Sequence, residues 1–376
     1  MEKVPVTVMR GGTSKGVFIH QKDMPDDTNL WSDFLLDIMG SPDERQIDGL
    51  GGGHSLTSKA AIIKKSARKD ADVEYTFAQV SLTDNFTDFK GNCGNISSAV
   101  GPYAIEKGLV QAEEPVTKVR ILNTNTQKVI VAEVEVRNGT FHYQGDCSIP
   151  GVPGTASPIY LSFHQAEGAV TGKLFPTGQP IDVLDTPYGN ISVSIIDYAN
   201  PLVFVKAEDT GLTGIELPDE YTPDILEKLE IIRSIAAEKC RFAPRHEAAA
   251  KSPAVPKLTL ISSPADYIDT KGIKRHAEEM DLVIRMMSMQ KPHQALAITG
   301  AVCTTAGMLL QDTILSEFSF SGRTIRLGHP SGILKTEADV DPDGTTIKVV
   351  RTARKISEGY VFTKQSYNMN TLNHIG

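Results

Sequence analysis

A run of glycine and amide residues around one cysteine, Gly91-Asn92-Cys93-Gly94-Asn95, leads directly into Ile96-Ser97-Ser98-Ala99-Val100, which reads as a helix of small residues. The glycines force a tight turn at its start. A helix that begins there leaves backbone N–H groups free and sets its positive dipole end beside Cys93, which favours both a bound carboxylate and a thiolate. The same residues would also suit a plain turn with a small buried cysteine. Further along, Asn92–Gly101 superimposes without gaps on Ile298–Gly307, matching small and hydroxyl positions. The chain therefore reads as two like halves, each with a polar turn at a helix start.

Glycine loops and strands alternate along the rest of the chain. Val4–Met9 and Val17–His20 read as strands separated by a loop, Arg10-Gly11-Gly12-Thr13-Ser14-Lys15-Gly16, whose hydroxyls and lysine could cradle an anion. Its order is wrong for a nucleotide-binding P-loop. Thr28–Met39 has helical periodicity, and Gly49-Leu50-Gly51-Gly52-Gly53-His54-Ser55 allows a backbone to touch a ligand. Lys59 stands where that loop meets apolar Ala60-Ala61-Ile62-Ile63, so partial burial would lower its pKa toward acid/base use. Strands are expected at Val73–Val80, Val116–Asn123 and Lys128–Val136, with Asn138-Gly139 as a hairpin turn. From about Ile181 the pattern restarts. Tyr198–Val205 takes the place of the first-half loop and strand, Thr222–Lys239 is helical, and Ala295–Leu310 is the second small-residue helix. His329-Pro330-Ser331 makes a late tight turn. Domains of residues 1–183 and 184–376 follow from this restart.

The formal net charge of −8 argues against a nucleic-acid or anionic-membrane binder. No apolar run has the length of a membrane span, and the first residues carry no signal pattern, so a cytoplasmic protein is expected. Cys93, Cys147, Cys240 and Cys303 are scattered without a C-x-x-C, and the histidines form no metal motif. Reduced cysteines and no metal site are therefore expected.

Six segments together resemble a known group. These are Met9–Gly16, Asp48–Gly52, Ser55–Lys59, Gly91–Asn95, Phe175-Pro176-Thr177-Gly178 and Gly328-His329-Pro330-Ser331-Gly332, in order along nearly the whole chain. They resemble the 2-methylaconitate cis-trans isomerase and 3-methylitaconate delta-isomerase family, which has the diaminopimelate-epimerase-like fold. The resemblance implies an α+β protein of two pseudo-symmetric domains, each a β-sheet wrapped around a central helix, with the active site between them. It pairs Lys59 with Cys93 as proton carriers. Thr299 stands where the symmetric epimerases place a second cysteine, which argues against a two-thiol racemase.

The reaction so implied needs no cofactor or metal. A proton leaves a carbon beside the C=C of a small unsaturated di- or tricarboxylate, and the delocalised anion is protonated elsewhere. Ser14, Lys15, His54, Ser55, Asn92, Gly94, Asn95, Thr299, Gly300, His329 and Ser331 are the expected substrate contacts. A bulky His54 would take space that a third carboxylate needs, which leans toward conversion of 3-methylitaconate to 2,3-dimethylmaleate over 2-methylaconitate isomerisation. A noncatalytic partner of an aconitase-like dehydratase is the alternative from another class, and retention of Lys59 and Cys93 speaks against it. The sequence leaves a homo-oligomer open.

Overall fold

Strand residues in each half alternate between two apolar environments, as a period-2 backbone dictates when both faces of a sheet are covered. Val17, Ile19, Ala60 and Ile62 pack with Phe34, Leu35 and Ile38 of the helix Trp31–Met39. Phe18, Ala61 and Ile63 point the other way, toward Ile96, Ala99 and Val100. In the second half Val203, Val205, Leu258 and Leu260 meet Leu229, Ile232 and Ala236 of the helix Pro223–Lys239. Leu202 and Phe204 turn inward to the cluster holding Ile298, Ala301 and Val302. Each half is thus an outer helix, a curved sheet and an inner helix.

In the computed structural model, which describes residues 1–367, the strand pairings make the repetition explicit. The first set runs from Ala353–Phe362 through Lys3–Gly11, Ser14–His20, Lys59–Lys65, Val73–Val80, Val116–Asn123 and Lys128–Arg137 to Ile159–His164. Its pairings are antiparallel, antiparallel, parallel, antiparallel, parallel, antiparallel and antiparallel. The second set runs from Asp182–Thr186 through Gly189–Tyr198, Asn200–Lys206, Lys257–Ser262, Leu282–Ser288, Thr324–His329 and Gly332–Asp341 to Gly344–Arg351. Its senses repeat in the same order. The last strand of the first set pairs with the last of the second, joining them in one sheet. Ala353–Phe362 crosses back to lie beside Lys3–Gly11, so the last strand among the described residues completes the sheet that the first strand began.

Each sheet curls round a helix that is buried almost along its whole length, Gly94–Glu106 in one half and Ile298–Leu309 in the other. This explains the small residues. A Cβ on Gly101 would lie 2.9 Å from Val134 Cγ2, and one on Gly307 would lie 2.7 Å from Leu315 Cδ1. The first of these helices continues through Pro102 to Glu106.

Two local expectations are corrected. The glycine loop expected over Arg10–Gly16 is mostly strand, because Gly11 pairs with Ser14 and only Gly12-Thr13 turns the chain. Gly12 at φ +51° supplies the left-handed backbone that such a two-residue link needs. The second core helix begins at Ile298 rather than Ala295, since Ala297 is extended. Asn138-Gly139 is the hairpin turn expected, both residues having positive φ.

Close packing about the first core helix leads to a direct test. Gly101→Leu should destabilise the fold by about 1–3 kcal/mol through overpacking, read as a lower midpoint of urea unfolding. An unchanged midpoint would show that the sheet can give way at Val134.

Candidate active site

The two core helices meet nearly head to head. A Cβ on Gly94 would come within 2.6 Å of Ile298 Cβ and 3.3 Å of the Thr299 nitrogen, so only glycine lets the helix ends approach this closely. Cys93 caps the first helix with extended backbone and makes no side-chain capping bond, which leaves its thiol free for other work. Beside this junction lies a small pocket lined from both halves of the chain.

Lys59 reaches the pocket from the first residue of its strand and is only 5% exposed. Opposite it on the neighbouring strand is Gln79, whose side-chain amide donates to the carbonyls of Ser58 at 2.9 Å and Ser55 at 3.1 Å. With both donors occupied, Gln79 turns its oxygen to Lys59 and accepts a hydrogen bond from Nζ. The Phe77 ring lies 5.4 Å from Nζ. Burial drives the Lys59 pKa below the ordinary lysine value, and the nearby Cys93, when ionised, pulls it partly back. A neutral amine there can donate to Gln79 and still present a lone pair.

Of the residues expected from sequence, Lys59, Cys93, Ser14, Asn92, Asn95 and Thr299 line this pocket. Ser14 Oγ and Thr299 Oγ1 are buried with no protein partner. Asn92 and Asn95 spend their amides on structure. Asn92 Oδ1 accepts from Ser97 and Asn123, while Asn95 holds Thr13 in the first hairpin by bonds of 3.1 and 3.3 Å.

The other expected contacts sit elsewhere. His54 is exposed and its Nδ1 accepts the Leu56 N–H at 3.1 Å, so the ring folds onto its own loop instead of into the pocket. Ser55 offers its carbonyl to Gln79, and Lys15 lies in the strand opposite Arg10. Gly94 and Gly300 serve packing, the latter against Met286. His329 is buried, with Nδ1 accepting the Ser331 N–H at 3.2 Å. Ser331 Oγ donates to the Gln294 carbonyl. Burial, then the charges of Arg351 and Arg285, keep His329 neutral. Neither residue of that turn lines the pocket.

Several lining residues escaped sequence reasoning, among them Gln79, Asn200, Lys257, Ser288 and His293. Both polar atoms of the Asn200 side chain are buried without a partner. His293 accepts the Ala295 N–H on Nδ1 at 3.0 Å, and burial together with Lys59 and Lys257 lowers its pKa to about 3. It is therefore neutral, with Nε2–H as its donor. Lys257 is lowered to about 8 by burial first and by Lys59 next, with Cys93 and Asp88 opposing. The available signal was the internal repeat, since Lys257 begins a strand as Lys59 does. Counted from the helix caps, Ala297 corresponds to Cys93, and Thr299 lies two residues into its helix. Among the described residues, no aspartate or glutamate lines the pocket.

Two buried lysines, a thiol, unpartnered amide and hydroxyl groups and two helix N-termini around a small cavity suit proton transfer on a small anion. Comparison with known proteins bears on this directly. The PrpF protein family matches residues 1–364. The chain belongs to that family. This PrpF-family protein is 60% identical to the putative isomerase YraM of Bacillus subtilis, over 98% of this chain and 100% of that protein. It is 46% identical to the 3-methylitaconate isomerase of Eubacterium barkeri, over 97% of this chain and 98% of that one. With the 2-methyl-aconitate isomerase of Shewanella oneidensis identity is 37%, over 96% of each. A crystal structure of methylitaconate-delta-isomerase superimposes with a TM-score of 0.80 at 46% identity, covering 96% of both chains. A hydroxyproline epimerase from Agrobacterium vitis shares the fold at a TM-score of 0.56 and 10% identity, over 96% of this chain and 92% of that one. The α+β architecture expected from sequence is thus the epimerase-like one. No helix among the described residues is long and apolar enough to cross a membrane.

The lowered Lys59 pKa sets the sign of a pH profile. A lysine acting as base works when neutral, so kcat/KM should rise with pH and level off below the ordinary lysine value of 10.5. Gln79→Leu, which removes the acceptor from a buried amine, should move this rising limb to lower pH. A limb that stays in place would separate Gln79 from the titrating group.

Proposed function

We propose that this protein is a cofactor-independent isomerase of a small unsaturated polycarboxylate, and that it converts 3-methylitaconate to 2,3-dimethylmaleate. The observation that carries the reading is Lys59, buried against a neutral acceptor and facing the same pocket as the helix-capping Cys93. An amine with a lowered pKa that shares the pocket with a thiol is equipped to act as a base.

The reaction is a redox-neutral shift of one proton. Lys59 takes the hydrogen from C3, between the methyl-bearing carbon's carboxylate and the C=CH₂ group, and the C3–H electrons form the new C2=C3 bond. The old π bond protonates at the methylene carbon, which becomes a methyl group. Cys93 is the second proton carrier. If its thiol supplies that proton, transfer from the Lys59 ammonium to the Cys93 thiolate returns both to their starting states. Charge spread onto the carboxylate in the transition state faces helix N-termini and buried donors that need no reorganisation.

The lean toward a dicarboxylate does not rest on His54, which is exposed and outside the pocket lining. It is supported by the higher identity to the 3-methylitaconate isomerase, 46% against 37% for the 2-methyl-aconitate isomerase. Among the described residues, the cluster Asp266, His276 and Glu278 could hold a metal, but it is exposed and shares no residue with the pocket. Four free cysteines suit a cytoplasmic location.

Steady-state kinetics on 3-methylitaconate and 2-methylaconitate test the substrate, with the larger kcat/KM expected for the former. A clear preference for the tricarboxylate would reassign the substrate within the same chemistry. Lys59→Ala should cost about 10²- to 10⁴-fold in kcat, and near-normal turnover would remove Lys59 from the mechanism. Exhaustive chelation should leave the rate unchanged; loss of activity restored by one metal would overturn the cofactor-independent reading.

A further inference from the structure

Strand starts in the two halves occupy equivalent places in the repeated topology, and both reach the pocket. Ser14 opens the second strand of the first hairpin, and Asn200 opens the second strand of the other. Three residues on, Val17 pairs with Ala60 and Val203 with Leu258 in parallel ladders. The residues just before Ala60 and Leu258 are Lys59 and Lys257. Lys59 stands opposite Gln79, and extending the register Thr259↔Met286 brings Lys257 level with Ser288. All six residues line the one pocket.

The repeat is broken where proton transfer needs it. Cys93 caps one helix while Ala297 caps the other, so the second half offers a lysine with no thiol. Gln79 reaches Lys59, whereas Lys257 donates to the Ala254 carbonyl at 2.9 Å. Asn200, 1% exposed, keeps both amide atoms unpartnered beside it in the lining. Asp88, which acts on Lys257 electrostatically, does not line the pocket and gives one oxygen to the Lys90 N–H. A cation and a vacant amide, facing a cavity without acidic walls, call for an anionic partner.

We propose that Lys257, with Asn200 and Ser288, forms a second carboxylate subsite that grips the substrate carboxylate remote from the carbon losing its proton. The inference rests on the isomerase reading for its substrate, and on pocket geometry for its anion. Binding energy from this remote group orients C3 toward Lys59, a contact made equally in ground and transition states. Its loss therefore falls on KM, while loss of Lys59 falls on kcat.

The test combines kinetics with equilibrium binding of an unreactive dicarboxylate, methylsuccinate, and of its monomethyl ester. Lys257→Met should raise KM about ten- to a hundredfold, as for a lost hydrogen bond to a charged group, with kcat changed much less. It should weaken methylsuccinate by a similar factor and the ester far less, while Lys257→Arg retains most of the preference for the diacid. Asn200→Asp, which adds a like charge at constant size, should also weaken methylsuccinate selectively. Thermal unfolding checks each variant, and the arginine and aspartate variants decide the matter if the methionine variant does not fold. Unchanged KM and unchanged diacid preference in the folded variants would overturn the subsite. Wild-type protein that discriminates diacid from ester through Lys257 but turns over neither unsaturated acid would sink the isomerase reading and support the subsite.

Discussion

The end-on approach of two buried helices at Gly94 and Ile298 is the contact on which the rest of this structure depends. Both helices present their N-termini, so two partial positive charges face one another in a region walled by sheets. Lys257, when protonated, adds to the same field, and among the described residues no acidic side chain lines the pocket. Such an arrangement is electrostatically unfavourable when empty. The large inner core that surrounds both helices holds it in place, and a small polyanion relieves it. Stability comes from the apolar layers, and the site draws on it.

A duplicated fold supplies two nearly equivalent half-sites, yet the proposed double-bond shift is not a symmetric reaction. One end of the substrate exchanges protons and the other only has to stay still. The chain meets this by keeping the backbone repeat and changing single side chains within it. Cys93 against Ala297 confines the thiol to one half, and Gln79 against Ser288 gives Lys59 a side-chain acceptor where Lys257 has a backbone carbonyl, while Ser14 against Asn200 keeps a hydrogen-bonding group in both. A two-base racemase would need matched caps. These caps are not matched.

Much of the scaffold was legible in the sequence because period-2 and period-3.6 patterns report burial directly. The outer helices, the Asn138-Gly139 hairpin and the two small-residue helices are of this kind. Lys59 and Cys93 were legible because each sits at a junction, one between a glycine loop and an apolar strand, the other at a helix cap. Glycine clusters were less informative, since a glycine marks a close approach without saying what approaches. At Gly11 the neighbour is the Asn95 carbonyl, and at Gly52 it is Thr57, so these loops pack against protein. His54 and His329 look alike as loop histidines, and only tertiary context shows one exposed and the other buried and neutral. Asn200 and Lys257 carry no local motif. Their meaning lies in strand register, which appears once the sheet is assembled.

Three of the nine non-glycine residues with positive φ among the described residues lie in the chain next to the second half-site. Ala199, at φ +61°, is the single residue between the paired Tyr198 and Asn200, and its N–H is held by the Ala166 carbonyl at 2.7 Å. Met289 and Gln290, at φ +52° and +57°, form the two-residue turn between Ser288 and Lys291, where glycine or asparagine is the usual occupant. Each such residue costs energy that the surrounding structure must supply. These three stand within two residues of Asn200 or Ser288, and Met289 itself lines the pocket. Glycine would relieve the strain at any of them, but would also let the segment move and would remove the Met289 side chain from the wall. Bulky residues in left-handed turns therefore make sense as a means of holding the second half-site rigid, so that the geometry seen by the substrate is set before it arrives.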